Sequence, residues 1–276
     1  MANAAFEAST RSSGGSESYA DAQEYFAGVK NWRFWSLLAW FDIRGRYRRT
    51  LLGPFWSVLN SITFIVILAS VYSLLWKVEL AKFLPFVAAG YFTWMLFASC
   101  IGESCQAFPA NGETLKNMPI APSALLARVV ARNLIVFAHN YLVFIGIALI
   151  FGVPLTGIFA AIPGVLIVAA TSLGIGTVLA FLVARYRDFE QIIQSLLQVV
   201  FFISPILWQE KLLPPEARGL ADLNPVFHLL RLVRNPLLGE VPEFSAYLVG
   251  LVIMGVALAF GLYCYVACRR RLVYWL

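Results

Sequence analysis

The chain has 276 residues, 60% hydrophobic and 13% charged, with a mean hydropathy of +0.76. No ordinary soluble domain carries that balance, so a lipid bilayer is the solvent for most of the chain. The 21 Lys and Arg outnumber the 15 Asp and Glu, giving +6 and a pI near 9.3, an excess that membrane topology and anionic headgroups account for better than nucleic acid does. A membrane β-barrel is also excluded, because its strands would read as alternating segments of about 10 residues, whereas the apolar runs here are long and unalternated.

Residues 1–30 are rich in Ser, Gly, Glu and Ala and lack an apolar stretch of signal-peptide length, so they are expected to be a flexible cytoplasmic N-terminus that is not cleaved. Residues 31–53 mix Trp, Phe and Leu with Arg44, Arg46, Arg48 and Arg49. They predict an amphipathic interface helix in the headgroup plane, with Trp32, Phe34, Trp35, Leu38 and Phe41 on its apolar side. A plain positive-inside anchor is the alternative.

Six apolar segments follow, at 54–76, 84–109, 124–151, 158–184, 191–208 and 245–268, each near the ~20 residues that cross ~30 Å of hydrocarbon. The first holds no charge and twelve Val, Ile, Leu or Phe, each contributing roughly −0.3 to −0.6 kcal/mol near a helix centre. On the second, Glu103 falls at the inner boundary, where Arg128 and Arg132 of the third also lie. An ion pair of Glu103 with Arg128 or Arg132 is expected there, a substrate role being the alternative. His139 and Asn140 lie deeper, and a lone histidine reads as packing. Cys100, Cys105, Cys264 and Cys268 have no metal-ligand spacing and read as small apolar residues.

Between the second and third spans, residues 110–123 (ANGETLKNMPIAPS) are polar enough to stay out of lipid and long enough for one short helix. In the fourth span, Ala170 with Gly174 and Ser172 with Gly176 are small residues at four-residue spacing that let another helix approach closely. The short connector Arg185 to Glu190 leads to the fifth span, where Gln191, Gln194 and Gln198 form a stripe on one helical face that must meet protein or water, and where Pro205 is expected to introduce a kink. The outer connector 209–244 holds five prolines, and Asn224 followed by Pro225 predicts a helix start. That helix is too short to span, so this connector is expected to be re-entrant. Residues 269–276 form a basic tail.

Assigning Lys and Arg to the two faces that six spans define gives 15 on the terminal side and six on the other, so both termini are expected in the cytoplasm. Aromatics near span ends (Trp56, Tyr72, Trp76, Trp208) fit interfacial belts. Position nominates Trp56, Tyr91, Trp94, Phe97, Gln194 and Gln198 as a glycan-facing wall, with helix packing as the alternative for the rings. No paired carboxylates, Ser/His/Asp set or GxxxxGK[ST] occurs. No catalytic or metal-binding residue is therefore nominated, and any ATPase must be another polypeptide.

The stretch Asp42 to Trp56, DIRGRYRRTLLGPFW, leads straight into the first span. With Asn224 and Pro225 in the outer loop and the six-span layout ending in a basic tail, it resembles the transmembrane subunits of ABC exporters for lipid-linked polysaccharides: O-antigen, capsule and teichoic acid. The resemblance covers most of the chain, and the arginines with LGPFW carry it. It implies an all-α polytopic protein of the bacterial inner membrane that forms one channel as a homodimer. It also implies two separate ATP-binding cassette subunits that hold ATP and Mg, an undecaprenyl-diphosphate-linked glycan as cargo, and no cofactor in this chain. On that footing Arg44, Arg46, Arg48 and Arg49 would admit the lipid diphosphate, and Glu113, Thr114, Leu115, Lys116 and Asn117 would form the coupling helix. An exporter of a drug or small lipid, a membrane enzyme acting on polyprenyl phosphates and an ion-coupled carrier are the competing readings. Glu103, Asp188 and Glu190 are sparse for the enzyme.

Overall fold

The computed structural model describes residues 17–46, 55–210, 219 and 222–276 and is all-α, with no strand among the described residues. Helix α1 covers 17–30, followed by α2 (Trp32–Arg46), α3 (Phe55–Trp76), α4 (Leu80–Cys105), α5 (Gly112–Asn117), α6 (Pro122–Phe151) and α7 (Ile162–Arg185). The chain continues with α8 (Phe189–Ile203), α9 (Pro225–Leu237), α10 (Phe244–Cys268) and α11 (Leu272–Trp275).

Five of these segments are long and apolar enough to cross a membrane: Val58–Trp76, Leu80–Cys105, Pro122–Phe151, Leu155–Arg185 and Phe244–Trp275. The fifth expected span, 191–208, is instead the 15-residue α8. Pro205 ends this helix where a kink was expected. Its ring disfavours helical geometry in the residue before it, and Ser204 is extended at φ −78°, ψ 143°. The chain then stays inside, with Ser204, Ile206 and Leu207 buried.

Helices α4 and α7 form the centre, packing against each other, with α6 on α4 and α10 on α7. Helices α3, α6 and α10 turn most of their apolar surface outward. Lipid is as apolar as leucine, so close packing of small residues has to hold such helices together. A Cβ added at Gly174 would lie 2.5 Å from the backbone of Ala257, and one at Gly261 would lie 2.6 Å from the Gly174 carbonyl oxygen. The α7 and α10 backbones therefore touch directly. Gly176, on the other side of α7, leaves the same room for Ser104 of α4.

The C-terminal ends of α3 and α6 close alike. Lys77 (φ 52°) and Gly152 (φ 70°) are left-handed, and the next amides, of Val78 and Val153, donate back to Ser73 and Ala148 at 3.0 and 2.8 Å, satisfying carbonyls that a helix end leaves open. Asn224 caps α9, accepting from the Val226 amide at 2.9 Å. At 13 residues α9 is too short to cross, and it packs on α4, α7 and α10.

One expectation for the first 53 residues needs correcting. Residues 17–30, expected to be flexible, are helical, and Tyr25 is buried. On helix α2, which packs on α6, Ala39 and Ile43 are buried while Trp32, Leu37, Trp40 and Phe41 are exposed.

Candidate functional site

Where α2 crosses the ends of α4 and α6, five charged side chains meet. Arg128 grips the Asp42 carboxylate with Nε at 2.6 Å and Nη2 at 2.5 Å. One turn on, Arg132 donates to Asp42 at 2.7 Å and to Glu103 at 2.6 Å. Asn133 donates to the same Glu103 oxygen at 2.7 Å, and Arg46 reaches the other at 3.0 Å. Residues 128 and 132 can both engage because positions four apart share a helix face. Glu103 thus pairs with Arg132 and Arg46, and Arg128 pairs with Asp42, so the expected alternatives resolve to Arg132. Asp42 lies in the arginine-rich run, but only its arginines stood out in the sequence.

Burial would raise the Asp42 carboxyl, but hydrogen bonds and charge from Arg128 and Arg132 outweigh it and hold the group below its ordinary value. Three guanidinium groups against two carboxylates leave the cluster one net positive charge, which favours an approaching anion. Arg44 is exposed on the same helix, away from the face that carries Asp42 and Arg46. Arg48 and Arg49 lie outside the described residues.

Glu103 also borders a groove of about 600 Å³ between α3, α4 and α8. Tyr91, Trp94, Phe64 and Phe201 line it with Gln194 and Gln198. The rings are in mutual contact: Phe64 to Tyr91 is 4.9 Å between centroids, and Trp94 to Phe201 is 5.8 Å. Gly102 lets the Gln194 amide lie against α4, since a Cβ there would come within 2.9 Å of its nitrogen. Tyr91, Trp94, Gln194 and Gln198 thus share one wall. Phe97 is not among the residues that line the groove, although it is as buried as Trp94, at 6% each. Trp56 is exposed and not among the lining residues. Phe64 and Phe201 were missed because nothing separates them in sequence from the many other apolar aromatics. Of the remaining polar residues, His139 is exposed and bonded to the Ile135 carbonyl, while Asn140 is buried.

On the side of the charge cluster, α5 carries Glu113, Thr114, Leu115, Lys116 and Asn117, with Glu113, Lys116 and Asn117 exposed. Leu115 packs on the cluster around Phe108 and Phe181. This short amphipathic helix can receive a partner on its polar side.

The family described as ABC-2 type transporter matches residues 33–238. An O-antigen export system permease protein RfbA of Klebsiella pneumoniae is 25% identical over 199 residues, covering 68% of this chain and 74% of its own. A permease of the same name from Myxococcus xanthus is 24% identical, over 68% and 74%. The polysialic acid transport protein KpsM of Escherichia coli is 24% identical over 213 residues, 73% of this chain and 80% of its own.

Proposed function

This chain belongs to the ABC-2 type transporter membrane family, and from that premise we propose that it is the channel-forming permease of an ATP-driven exporter. Its cargo is a lipid-linked polysaccharide of O-antigen or capsule type, carried on undecaprenyl diphosphate across the bacterial inner membrane. The observation that carries this reading is the groove of about 600 Å³ whose rings and glutamine amides run up to a positively charged mouth. Aromatic faces suit the apolar faces of sugars without fixing one hydrogen-bond pattern, and the guanidinium groups suit a diphosphate. The names of the relatives agree with it.

In this reading two copies face each other and their grooves join into one passage. Six crossings are reached when α8 and the buried residues 204–207 together complete the fifth, and α9 then sits as a re-entrant piece at the outer leaflet. Both chain ends lie in the cytoplasm. Arg44 and Arg46, with Arg48 and Arg49, receive the diphosphate. Two separate ATP-binding cassette subunits hold ATP and Mg and dock at α5. A long glycan exceeds any occluded cavity, so the passage stays continuous and ATP cycles rock the two halves to advance the sugar in steps.

The test is reconstitution in vesicles with the ATP-hydrolysing subunit that co-purifies with the chain. ATP-dependent delivery of undecaprenyl-diphosphate glycan is the expected result. Delivery of a drug or short lipid in its place, or transport without any nucleotide-hydrolysing partner, overturns the reading.

A further inference from the structure

Helix α1 is fastened to residues 269–276 at the far end of the sequence. Arg269 donates to the Glu24 carboxylate through Nε and Nη2, each at 2.8 Å, a two-pronged geometry that adds specificity as well as energy. Arg270 meets Asp21 at 3.1 Å and also Glu17. Tyr25 is buried edge-on to Tyr265, with centroids 5.0 Å apart, and its carbonyl accepts from Ser123 of α6 at 2.9 Å.

The same segment supports α5 from its other end. Leu276 packs at Gly112, where a Cβ would lie 3.5 Å from the leucine Cβ. Leu115, Trp275 and Leu276 all pack on the cluster that holds Tyr25, Tyr265 and Leu272. A six-residue helix is far below the ~12 residues at which an isolated helix becomes even marginal, so α5 depends on this support. Helix α1 leads through Asn31 into α2, the Trp35 indole donating to the Val29 carbonyl at 2.8 Å. Helix α2 carries Asp42 and Arg46 of the charge cluster.

We infer that residues 269–276 are a positioning strut, which sets α5 and ties it through Arg269 and Arg270 to α1, so that motion imparted at α5 reaches Asp42 and Arg46 at the mouth of the groove. The inference rests on reading α5 as the place where the ATP-hydrolysing subunit docks. It adds what fixes that helix and where its motion goes.

Two measurements on the full chain test it, with Arg269→Glu, Glu24→Arg and the swap that combines them. The first needs no partner: amide hydrogen exchange of 112–117 and 17–30 in the purified protein. Arg269→Glu is expected to speed exchange in both segments, by about fivefold for a coupling of ~1 kcal/mol, and the swap to restore it. Faster exchange in 17–30 alone overturns the strut. The second is ATP hydrolysed per glycan delivered in vesicles. The ratio is expected to rise about fivefold in Arg269→Glu, with the ATP-hydrolysing subunit still bound, and to recover in the swap. An unchanged ratio, or one the swap fails to recover, overturns it. If Arg269→Glu does not assemble, Glu24→Gln removes the pairing charge without reversing it and is read in the same way. Failure of the docking reading looks different: the exchange result stands, while reversing Glu113 and Lys116 leaves the ratio unchanged.

Discussion

Arg46 of α2 and Glu103 of α4, 57 residues apart in the chain, meet at 3.0 Å beside the groove. Arg46 is therefore already engaged by a carboxylate at the edge of the groove, and under the proposed reading an incoming diphosphate headgroup competes with Glu103 for it.

Replacing Glu103 by Gln removes that competitor. The Arg46 pair is partly exposed, and such pairs contribute about 0–1 kcal/mol, so an undecaprenyl-diphosphate lipid should bind up to about fivefold more tightly in nanodiscs. Unchanged or weaker binding would place Arg46 outside the headgroup site.

Asp42 gives a pH signature with a definite sign. Its carboxyl is lowered in the folded protein, so its stabilisation is complete above the ordinary value of about 3.9 and fades as pH falls through the lower folded value. Asp42→Asn should cost about 1–3 kcal/mol at neutral pH. The gap in thermal midpoint between wild type and variant should hold from pH 8 to about pH 5 and narrow below about pH 4. A gap that opens on acidification contradicts the ion pairing.

Removing either groove ring, Tyr91→Ala or Trp94→Ala, should slow glycan delivery about fivefold if each contact contributes about 1 kcal/mol, while ATP-hydrolysing subunit binding is retained. Trp94→Ala should also lower thermal stability, because that ring is as buried as Phe97, whereas Phe97→Ala should lower stability alone, since Phe97 does not line the groove. Glycan flux per ATP in vesicles separates the two outcomes.

The α7–α10 contact predicts a contrast within one helix. Gly261→Ala pushes a methyl to 2.6 Å from the Gly174 carbonyl oxygen and should cost about 1–3 kcal/mol. Gly255→Ala, with nothing within 4 Å, should be neutral or stabilise by up to about 1 kcal/mol through helix propensity. Thermal unfolding of the two variants in one detergent decides it.

Charge reversal at Glu113 and Lys116, both exposed on α5, should leave the permease folded and lower glycan delivered per ATP by about tenfold, equivalent to ~1.4 kcal/mol. A ratio equal to wild type in reconstituted vesicles would remove α5 from the docking site.

Much of this was legible because the bilayer writes length and apolarity directly into a sequence. The long spans, the Asn224 cap and the small-residue spacing around Gly174 all follow local rules. So did the glutamine stripe, of which Gln194 and Gln198 reach the groove while Gln191 stays exposed at the start of α8. What could not be read depends on partners far away in the chain. Glu17, Asp21 and Glu24 recur with helical spacing in a polar segment that looks unstructured until Arg269 and Arg270 are placed beside it. Asp42 looked incidental among arginines until Arg128 and Arg132 arrived from α6.

Arg234 of α9 is buried, lies 4.4 Å over the Phe86 ring and donates to the Pro205 carbonyl at 2.5 Å, just past the break that ends α8. Asn224 at the start of α9 also donates to Ser204 at 2.9 Å, so the end of α8 and helix α9 are tied at two points. The two helices therefore move together, and under the proposed reading a wider exit for a bulkier polymer requires α8 to shift with α9.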